Sequence, residues 1–338
     1  MNYYLFGKSG LRVSEMALGT MTFGTEWGWG TDKAESKKIF DAYTNAGGNF
    51  IDTANRYTEG SSETFVGEFI KSDRHHFVVA TKYTLYDNPD DVNQSGNHRK
   101  NMMRSVRESL KRLDTDFIDI LWVHAWDFMT PPEEILRGLD DLIRSGDVHY
   151  IGISDTPAWI VSQCNTLAEL RGWTAFTGLQ VEYSLIQRTP ERDLIPMADA
   201  FGMAVTPWAP LAGGALTGKY LKGEEGRVSE ESDRRNERSR KITQKVVETA
   251  DKLGVTPAQV AVRWAMQKEF LSIPIVGGRK ESQMKDSLGC VGFTIPEDEM
   301  AALNEVSSID YGFPHDFLAR KETKHVIYGK KGSKILRK

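Results

Sequence analysis

The sequence predicts an α/β fold, a single (β/α)8 barrel with an N-terminal β-hairpin and long loops at the C-terminal face of the strands. Eight short apolar runs alternate with stretches of helical periodicity along the 338 residues. Many of these units are spaced by about 30 residues, the length of one βα unit. Neither an internal repeat nor a linker-like composition divides them. Strict alternation predicts a parallel sheet, and eight units favour its closure into a barrel.

Length and composition limit the possible functions. The chain is 40% hydrophobic and 27% charged, which is ordinary for a globular protein with a full core. Its net charge of −4 gives no reason to expect nucleic acid as a partner. No apolar run reaches about 20 residues and no signal peptide opens the chain, so we expect a cytoplasmic protein without a membrane partner. Oligomeric state stays open.

The two cysteines, Cys164 and Cys290, are too few for a disulfide framework. They also lack the spacing of metal ligands. We expect both to be small buried residues and predict no metal site.

The first half of the chain begins with two strands around Gly7–Gly10, a glycine-rich turn that favours a hairpin. Glu15–Leu18 is the first predicted barrel strand. Asp32 and Glu35 form a capping-box pair for the helix after it. The next strand closes at Asp52, and Ser61 or Ser62 is expected to cap the helix that follows. The remaining strands of this half are predicted over Phe77–Thr81 and Phe117–Val123.

The second half continues the alternation and then ends in a different composition. Its strands are predicted over His149–Ile153, Leu179–Val181, Met203–Thr206 and Leu271–Val276. The charged run Glu224–Arg240 is predicted to be a solvated loop that passes into a helix. The barrel is expected to occupy residues 1–312, and residues 313–338 form a tail that we expect to be partly disordered, above all over Gly329–Lys338.

Polar side chains follow three successive strands. Asp52 closes one strand, Tyr57 comes five residues later, Lys82 follows the next strand and His124 the third. Taken singly, each is more often a solvated loop residue or a structural histidine. Because the strand ends of a barrel meet at one face, four such residues in register favour a common site.

The chemistry of these four residues is that of proton transfer to a carbonyl. A tyrosine has an ordinary pKa of about 10 and is a poor acid near neutrality. We expect a buried Lys82 ammonium to move the pKa of Tyr57 down, with Asp52 keeping the lysine charged and oriented. His124 would hydrogen-bond the substrate carbonyl oxygen and orient it.

Several motifs resemble the aldo-keto reductase family over about Tyr4–Val306. They are LGTMTFG at Leu18–Gly24, IDTANRY at Ile51–Tyr57, the Lys82 strand, LWVH at Leu121–His124, IGIS at Ile151–Ser154, QVEYS at Gln180–Ser184, PWAPLAGGALTGKY at Pro207–Tyr220 and GGRK at Gly277–Lys280. The resemblance implies reversible NADP(H)-dependent reduction of aldehydes or ketones, with Tyr57 as general acid and Asp52, Lys82 and His124 as its partners. It also implies an extended cofactor across the barrel mouth, in agreement with the absence of a G-x-G-x-x-G motif.

The resemblance further implies which residues hold the cofactor. Ser154 and Gln180 would bind the nicotinamide carboxamide, Trp208 would stack on the ring, and Arg279 would meet the 2′-phosphate with its guanidinium. Further cofactor-binding positions would be Gly19, Thr20, Met21, Asp52, Ala209, Pro210, Leu211, Gly213, Lys219, Gly277, Gly278, Gln283, Asp286 and Ser287. Asp155 stands where the family usually has asparagine, and Ser287 where it often has asparagine. Arg227 is equally consistent with closing over the pyrophosphate and with helical surface charge.

Substrate selection is expected in the loops above the nicotinamide. Trp27, Trp29, Trp126 and Phe128 are the aromatic candidates for a partly apolar pocket that takes a small-molecule carbonyl compound. A metal-dependent hydrolase barrel would need clustered histidines near the first strand, and Gly19–Gly24 has none. The alternative from another class is an NADPH-binding regulatory or sensor subunit with little turnover.

Overall fold

The computed structural model of the chain describes residues 1–336. Its strands are β1 (Tyr3–Leu5), β2 (Arg12–Ser14), β3 (Ala17–Gly19), β4 (Phe50–Asp52), β5 (Val78–Tyr83), β6 (Ile118–Val123), β7 (Val148–Ser154), β8 (Gly178–Glu182), β9 (Ala204–Trp208) and β10 (Ile275–Val276). The pair β1–β2 is antiparallel, which confirms the predicted hairpin.

The other eight strands form one parallel sheet in the order β10-β3-β4-β5-β6-β7-β8-β9. The two edges meet where Val205 donates its backbone N–H to Leu271 at 3.0 Å and accepts from Ile273 at 2.9 Å. The sheet is therefore closed into the (β/α)8 barrel that the sequence predicts. In such a barrel the loops after the strands share one face, which we call the mouth.

The opposite end of the barrel is filled by the hairpin. Phe6 is fully buried, and its ring meets Phe50 and Trp122 edge-on at 5.8 and 6.1 Å. Trp122 fills the barrel interior against two glycines of neighbouring strands. A methyl group at Gly152 or Gly178 would lie 2.2 or 2.8 Å from the Trp122 ring. These close approaches explain why glycine stands at both positions.

The helices surround the sheet. They are α1 (Lys33–Asn45), α2 (Ser61–Ile70), α3 (Arg99–Leu113), α4 (Pro132–Ser145), α5 (Ala158–Arg171), α6 (Leu194–Phe201), α7 (Glu237–Leu253), α8 (Pro257–Met266), α9 (Glu281–Leu288), α10 (Glu297–Val306), α11 (His315–Ala319) and α12 (Lys321–Tyr328). Asp32 caps α1 by accepting from the Glu35 N–H at 2.9 Å, but the predicted capping box is not completed, because the Glu35 carboxylate accepts from the Glu281 backbone N–H at 2.8 Å instead. The charged run does pass into α7.

The predicted serine cap of α2 is wrong. Gly60 precedes the helix in a left-handed conformation with φ of 94°, and no side chain caps it. Ser62 is instead fully buried, with its hydroxyl 2.8 Å from both the Thr20 and Thr53 hydroxyls. The serine thus joins the ends of β3 and β4 beneath the mouth.

Two helices stand outside the simple alternation and pack on each other. Glu299 of α10 accepts hydrogen bonds from Lys245 at 3.1 Å, Thr249 at 2.7 Å and Lys252 at 2.5 Å, all on α7. These bonds lower the pKa of Glu299 to about 2, so the carboxylate stays charged near neutral pH.

The chain after α10 forms α11 and α12. Partial disorder of this tail remains a prediction, and Arg337 and Lys338 of the predicted Gly329–Lys338 stretch lie outside the described residues. Across residues 1–336, no helix has the length and apolar character needed to cross a membrane. In the same part of the chain, no group of three or more His, Cys, Asp or Glu side chains is placed to hold a metal ion.

Candidate active site

Three strands bring the four predicted catalytic residues to the mouth. Asp52 is the last residue of β4, and His124 directly follows β6. Lys82 was expected just past its strand, but β5 continues through Tyr83 and Lys82 lies within it. The longer strand arises because Lys82 and Tyr83 still pair with Trp122 and Val123 of β6. Tyr57 lies in a short 3-10 turn after β4.

The Lys82 ammonium connects three of these groups. Its Nζ donates to Asp52 Oδ2 at 2.5 Å, to the Thr53 carbonyl at 2.8 Å and to the Tyr57 hydroxyl oxygen at 3.2 Å. The Lys82 side chain is fully buried and that of Asp52 is 3% exposed. Three acceptors saturate the three donors of an ammonium, which fixes its position.

The charge state of Lys82 follows from these neighbours. Burial alone would lower the pKa of Lys82, because it disfavours the charged amine. The Asp52 carboxylate and the Tyr57 hydroxyl outweigh that effect and raise the Lys82 pKa above its usual value. Lys82 is therefore an ammonium at neutral pH.

The pKa of Tyr57 is raised above its ordinary value, so the expectation of a lowered pKa is wrong. Burial disfavours the phenolate, and this effect exceeds the opposing attraction of the Lys82 ammonium. Tyr57 consequently holds its proton near neutral pH, with the Lys82 ammonium 3.2 Å from its hydroxyl oxygen.

His124 lies beside Tyr57 as a neutral imidazole. The two rings meet edge-on with centroids 6.0 Å apart. Burial and the nearby Lys82 charge hold the pKa of His124 well below its usual range. Among the described residues, nothing hydrogen-bonds its buried Nδ1. The ring therefore adds a hydrogen-bonding group beside Tyr57 without adding a charge.

The turn that carries Tyr57 is strained and braced. Thr58 and Glu59 have φ of 47° and 55°, a left-handed conformation that non-glycine residues rarely adopt. The Thr58 hydroxyl donates to the Phe23 carbonyl at 2.5 Å. Trp27 donates its indole N–H to Glu59 at 3.0 Å, and Arg56 forms an ion pair with Glu59. The loop after β3 thus holds Tyr57 in place.

Ser154 and Gln180 lie side by side on the other side of the barrel interior, as register partners in β7 and β8. Gln180 donates from Nε2 to Asp52 Oδ1 at 3.0 Å. Ser154 Oγ is buried, and within residues 1–336 it has no hydrogen-bond partner. A buried hydroxyl without a partner is costly unless a ligand satisfies it, so the pair fits an amide-bearing ligand at the mouth.

Trp208 and Asp155 contact each other at the same rim. The Trp208 indole N–H donates to Asp155 Oδ1 at 3.2 Å, and Asp155 adopts φ of 40°. The carboxylate in the place of the family's usual asparagine is therefore engaged with Trp208. Ala209 follows with φ of 51°, and Pro210 and Leu211 lead into the loop after β9.

Two glycines in that loop each lie beside one cation, of which Arg234 also forms an ion pair with Glu182. Gly213 and Gly214 have φ of 68° and 91°. A methyl group on them would lie 3.2 Å from Arg234 Nη1 and 3.2 Å from Lys219 Nζ, respectively. Glycines with cations beside them suit an anionic group, and the cofactor contacts of Gly213 and Lys219 remain a prediction. Sequence reasoning missed Arg234, because nothing in the charged run distinguishes it from its neighbours.

The first and last barrel strands approach closely. A methyl group at Gly277 would lie 2.6 Å from the Gly19 carbonyl oxygen. Thr20 is buried and donates to the Asp52 carbonyl at 3.0 Å, while Met21 is half-buried at the mouth. The Thr22 hydroxyl donates to the Gly278 carbonyl at 2.7 Å.

Arg279 begins the segment that leads into α9. Its side chain is exposed, and its backbone N–H donates to Gln283 Oε1 at 2.8 Å. Asp286 accepts from the Thr256 hydroxyl at 2.9 Å and from Gln259 at 3.1 Å. Ser287 is buried. Among the predicted cofactor-binding residues of this segment, Arg279 thus carries the cationic side chain, and that side chain faces solvent.

Aromatic side chains surround the mouth. Trp27 and Trp29 pack with ring centroids 5.5 Å apart, and Trp27 meets the Tyr57 ring edge-on at 6.5 Å. Trp126 is half-buried, and Phe128 is 70% exposed. Arg227 lies over the Trp29 ring at 4.3 Å. The arginine therefore links the charged loop to the aromatic loop after β3.

Comparisons with known proteins agree with this geometry. The family model described as Aldo/keto reductase family matches residues 15–308. A norsolorinic acid reductase of Aspergillus flavus is 37% identical over 94% of this chain and 84% of the relative. An NADP(+) aryl-alcohol dehydrogenase of Phanerodontia chrysosporium is 39% identical over 90% of this chain and 86% of the relative. The aldo-keto reductase ausK of Aspergillus calidoustus is 35% identical over 92% of this chain and 83% of the relative.

Proposed function

Because this chain belongs to the aldo/keto reductase family, we propose that it reduces aldehydes or ketones to alcohols with Tyr57 as the proton donor. As a member of the family it is an NADP-dependent oxidoreductase. The observation that carries the proposal is the buried Lys82 ammonium, which bonds both Asp52 Oδ2 and the Tyr57 hydroxyl oxygen.

The proton transfer follows from that arrangement. Reduction of a carbonyl places negative charge on its oxygen, which must receive a proton. Tyr57 holds a proton, and Lys82 stabilises the phenolate that forms when the proton is given up. Asp52 keeps Lys82 charged and in place, and the neutral His124 orients the carbonyl oxygen without competing as a cation.

The residues around the mouth fit a nicotinamide cofactor. NADPH supplies the hydride when it is bound. Ser154 Oγ and Gln180 would bind the carboxamide, and Trp208 would cover the ring. Lys219 and Arg234, beside Gly213 and Gly214, would bind the pyrophosphate. These side chains would hold the cofactor with its reacting carbon near Tyr57, and such positioning contributes to the rate.

Replacing Arg279 with alanine should weaken NADPH binding by about ten- to a hundredfold and leave NADH binding within about twofold, because only NADPH carries the 2′-phosphate. Titration of both cofactors by tryptophan fluorescence measures the effect. Arg171→Ala, at the C-terminal end of α5, removes a surface arginine from the opposite end of the barrel as a control. Equal weakening of both cofactors by Arg279→Ala would exclude the proposed 2′-phosphate contact.

We further propose that the substrate carbonyl is attached to an aromatic ring. The similar reductases and dehydrogenases are named for norsolorinic acid and aryl alcohols, and the mouth carries Trp27, Trp29 and Phe128. Aromatic contacts contribute about 0.5–1.5 kcal/mol beyond burial, so kcat/KM for benzaldehyde should exceed that for cyclohexanecarboxaldehyde by about two- to tenfold. Trp29→Leu should reduce this preference. Equal kcat/KM values for the two aldehydes in the wild-type enzyme would contradict an aromatic pocket.

A further inference from the structure

The charge of the chain is divided unequally between barrel and tail. Residues 313–338 contain eight lysines or arginines and two acidic residues, a formal charge of +6. The whole chain carries −4, so residues 1–312 carry −10. The fold does not require a basic segment beside an acidic domain. Such a charge difference is typical of a tail that binds another molecule or a membrane.

The described part of this tail, residues 313–336, exposes large apolar side chains among its cations. Phe313, Val326 and Leu336 are 84%, 83% and 87% exposed, and Phe317, Leu318, Ile327, Tyr328 and Ile335 are exposed as well. Helices α11 and α12 leave an open apolar cleft between them, formed largely by Phe317, Leu318, Val326 and Ile327. So many exposed apolar side chains in a short segment indicate a surface that a membrane or another molecule covers.

Within the described residues, the hydrogen bonds that tie this end of the chain to the rest of the barrel lie just before the tail. Tyr311 donates its hydroxyl to Glu191 at 3.0 Å, and Arg192 donates to the Asp310 carbonyl at 2.9 Å. Among residues 313–336, the hydrogen bonds stay within the segment or reach back no further than Asp310 and Gly312. In this described part of the tail, the basic side chains form no ion pair. Its cations are free to meet an external anion.

We propose that residues 313–336 anchor the protein to an anionic lipid surface, with the apolar side chains among the headgroups and the lysines beside lipid phosphates and carboxylates. Basic helices with exposed aromatic and aliphatic residues bind the interface in this way, without spanning the bilayer. A lipid surface fits better than a second copy of the chain. Nearly every residue from 313 to 331 is exposed, on all sides of two short helices. A headgroup layer surrounds such a segment, whereas a protein interface covers one side.

The proposal revises the expectation that no membrane takes part, and it does not depend on the proposed function. The tail leaves the barrel beside Glu191, in the loop that follows β8, which lies on the mouth side. An anchor there would hold the mouth close to the lipid phase, where apolar carbonyl compounds dissolve.

Vesicle co-sedimentation of the full chain tests the anchor. Phosphatidylcholine vesicles are compared with phosphatidylcholine vesicles that contain phosphatidylserine, at low and high salt. The test variant carries Lys321→Gln, Lys324→Gln, Lys330→Gln and Lys331→Gln. The matched control carries Lys71→Gln, Lys111→Gln, Lys241→Gln and Lys285→Gln, four exposed lysines of the barrel helices and their flanking turns.

We expect binding to the phosphatidylserine vesicles that weakens with salt, and at least about a tenfold lower partition coefficient for the tail variant, since each basic side chain near an anionic surface contributes on the order of fivefold. The control variant should bind like the wild type.

A second variant, Phe317→Ser with Val326→Ser, should also bind more weakly, because fewer apolar side chains insert among the headgroups. Equal binding to both vesicle types, no binding, or undiminished binding of the tail variant would overturn the proposal. Loss of a dimer in the tail variant, without vesicle binding by the wild type, would assign the tail to a second copy instead.

Discussion

Tyr57→Phe is expected to lower kcat for carbonyl reduction by about 10²–10⁴-fold, the contribution typical of a positioned general acid. The substitution removes only the hydroxyl oxygen to which Lys82 donates at 3.2 Å. The ring and its contacts with Trp27 and His124 remain, so the Kd for NADPH should stay within about twofold of the wild-type value. Steady-state NADPH oxidation and a fluorescence titration measure the two quantities separately.

The pH dependence of the wild-type enzyme belongs to the same prediction. Burial raises the pKa of Tyr57, and the donor must be protonated, so kcat for reduction should fall only as the pH rises through that raised pKa. His124 is neutral because its pKa is lowered, and it should add no loss near its ordinary pKa of about 6.5. Tyr83→Phe is the control for removing a buried hydroxyl, since Tyr83 faces the helices. Retained turnover in Tyr57→Phe would exclude this proton donor.

Lys82→Met should impair both activity and stability. Without the ammonium, Tyr57 loses the cation that stabilises its phenolate, and kcat should fall by about 10²-fold or more. The same substitution leaves the 3% exposed Asp52 side chain without its cation. Breaking a buried pair in this way typically costs about 3–5 kcal/mol of the free energy of unfolding. Urea denaturation gives the stability change, and NADPH oxidation gives the activity.

A double variant separates the two effects. Adding Asp52→Asn to Lys82→Met removes the unpaired buried charge, so most of the lost free energy of unfolding should return. Activity should not return, because no cation faces Tyr57. A double variant that regained turnover would show that Lys82 serves only to keep the site folded.

The sequence predicted the barrel and the meeting of the four residues for a clear physical reason. Eight alternating units leave few alternatives to a closed parallel sheet, and closure places all strand ends at one face. The positions of Asp52 and His124 at the ends of their strands were therefore enough to predict that both lie at the mouth. Lys82 lies in the same place although β5 continues one residue beyond it. The next-to-last residue of a barrel strand is still close enough to the strand end for its side chain to reach the mouth.

Other features depend on burial and on loop geometry, which sequence patterns do not reveal. Whether the pKa of Tyr57 is raised or lowered depends on which is larger, the effect of burial or that of the Lys82 charge. Only the folded site shows how deeply Tyr57 is buried. Arg234 lies beside Gly213 because the loop after β9 folds back over it. Ser62 looked like a helix cap, but its hydroxyl is buried between Thr20 and Thr53.

A single-turnover experiment tests the central claim most directly. The protein is loaded with NADPH and mixed with benzaldehyde, and NADPH absorbance and benzyl alcohol are followed together. We predict that the bound NADPH is consumed and that alcohol appears in equal amount, with a rate that falls in Tyr57→Phe. Bound NADPH that stays unoxidised with benzaldehyde, and with a panel of other aldehydes and ketones, would contradict the reductase assignment and favour a cofactor-sensing protein.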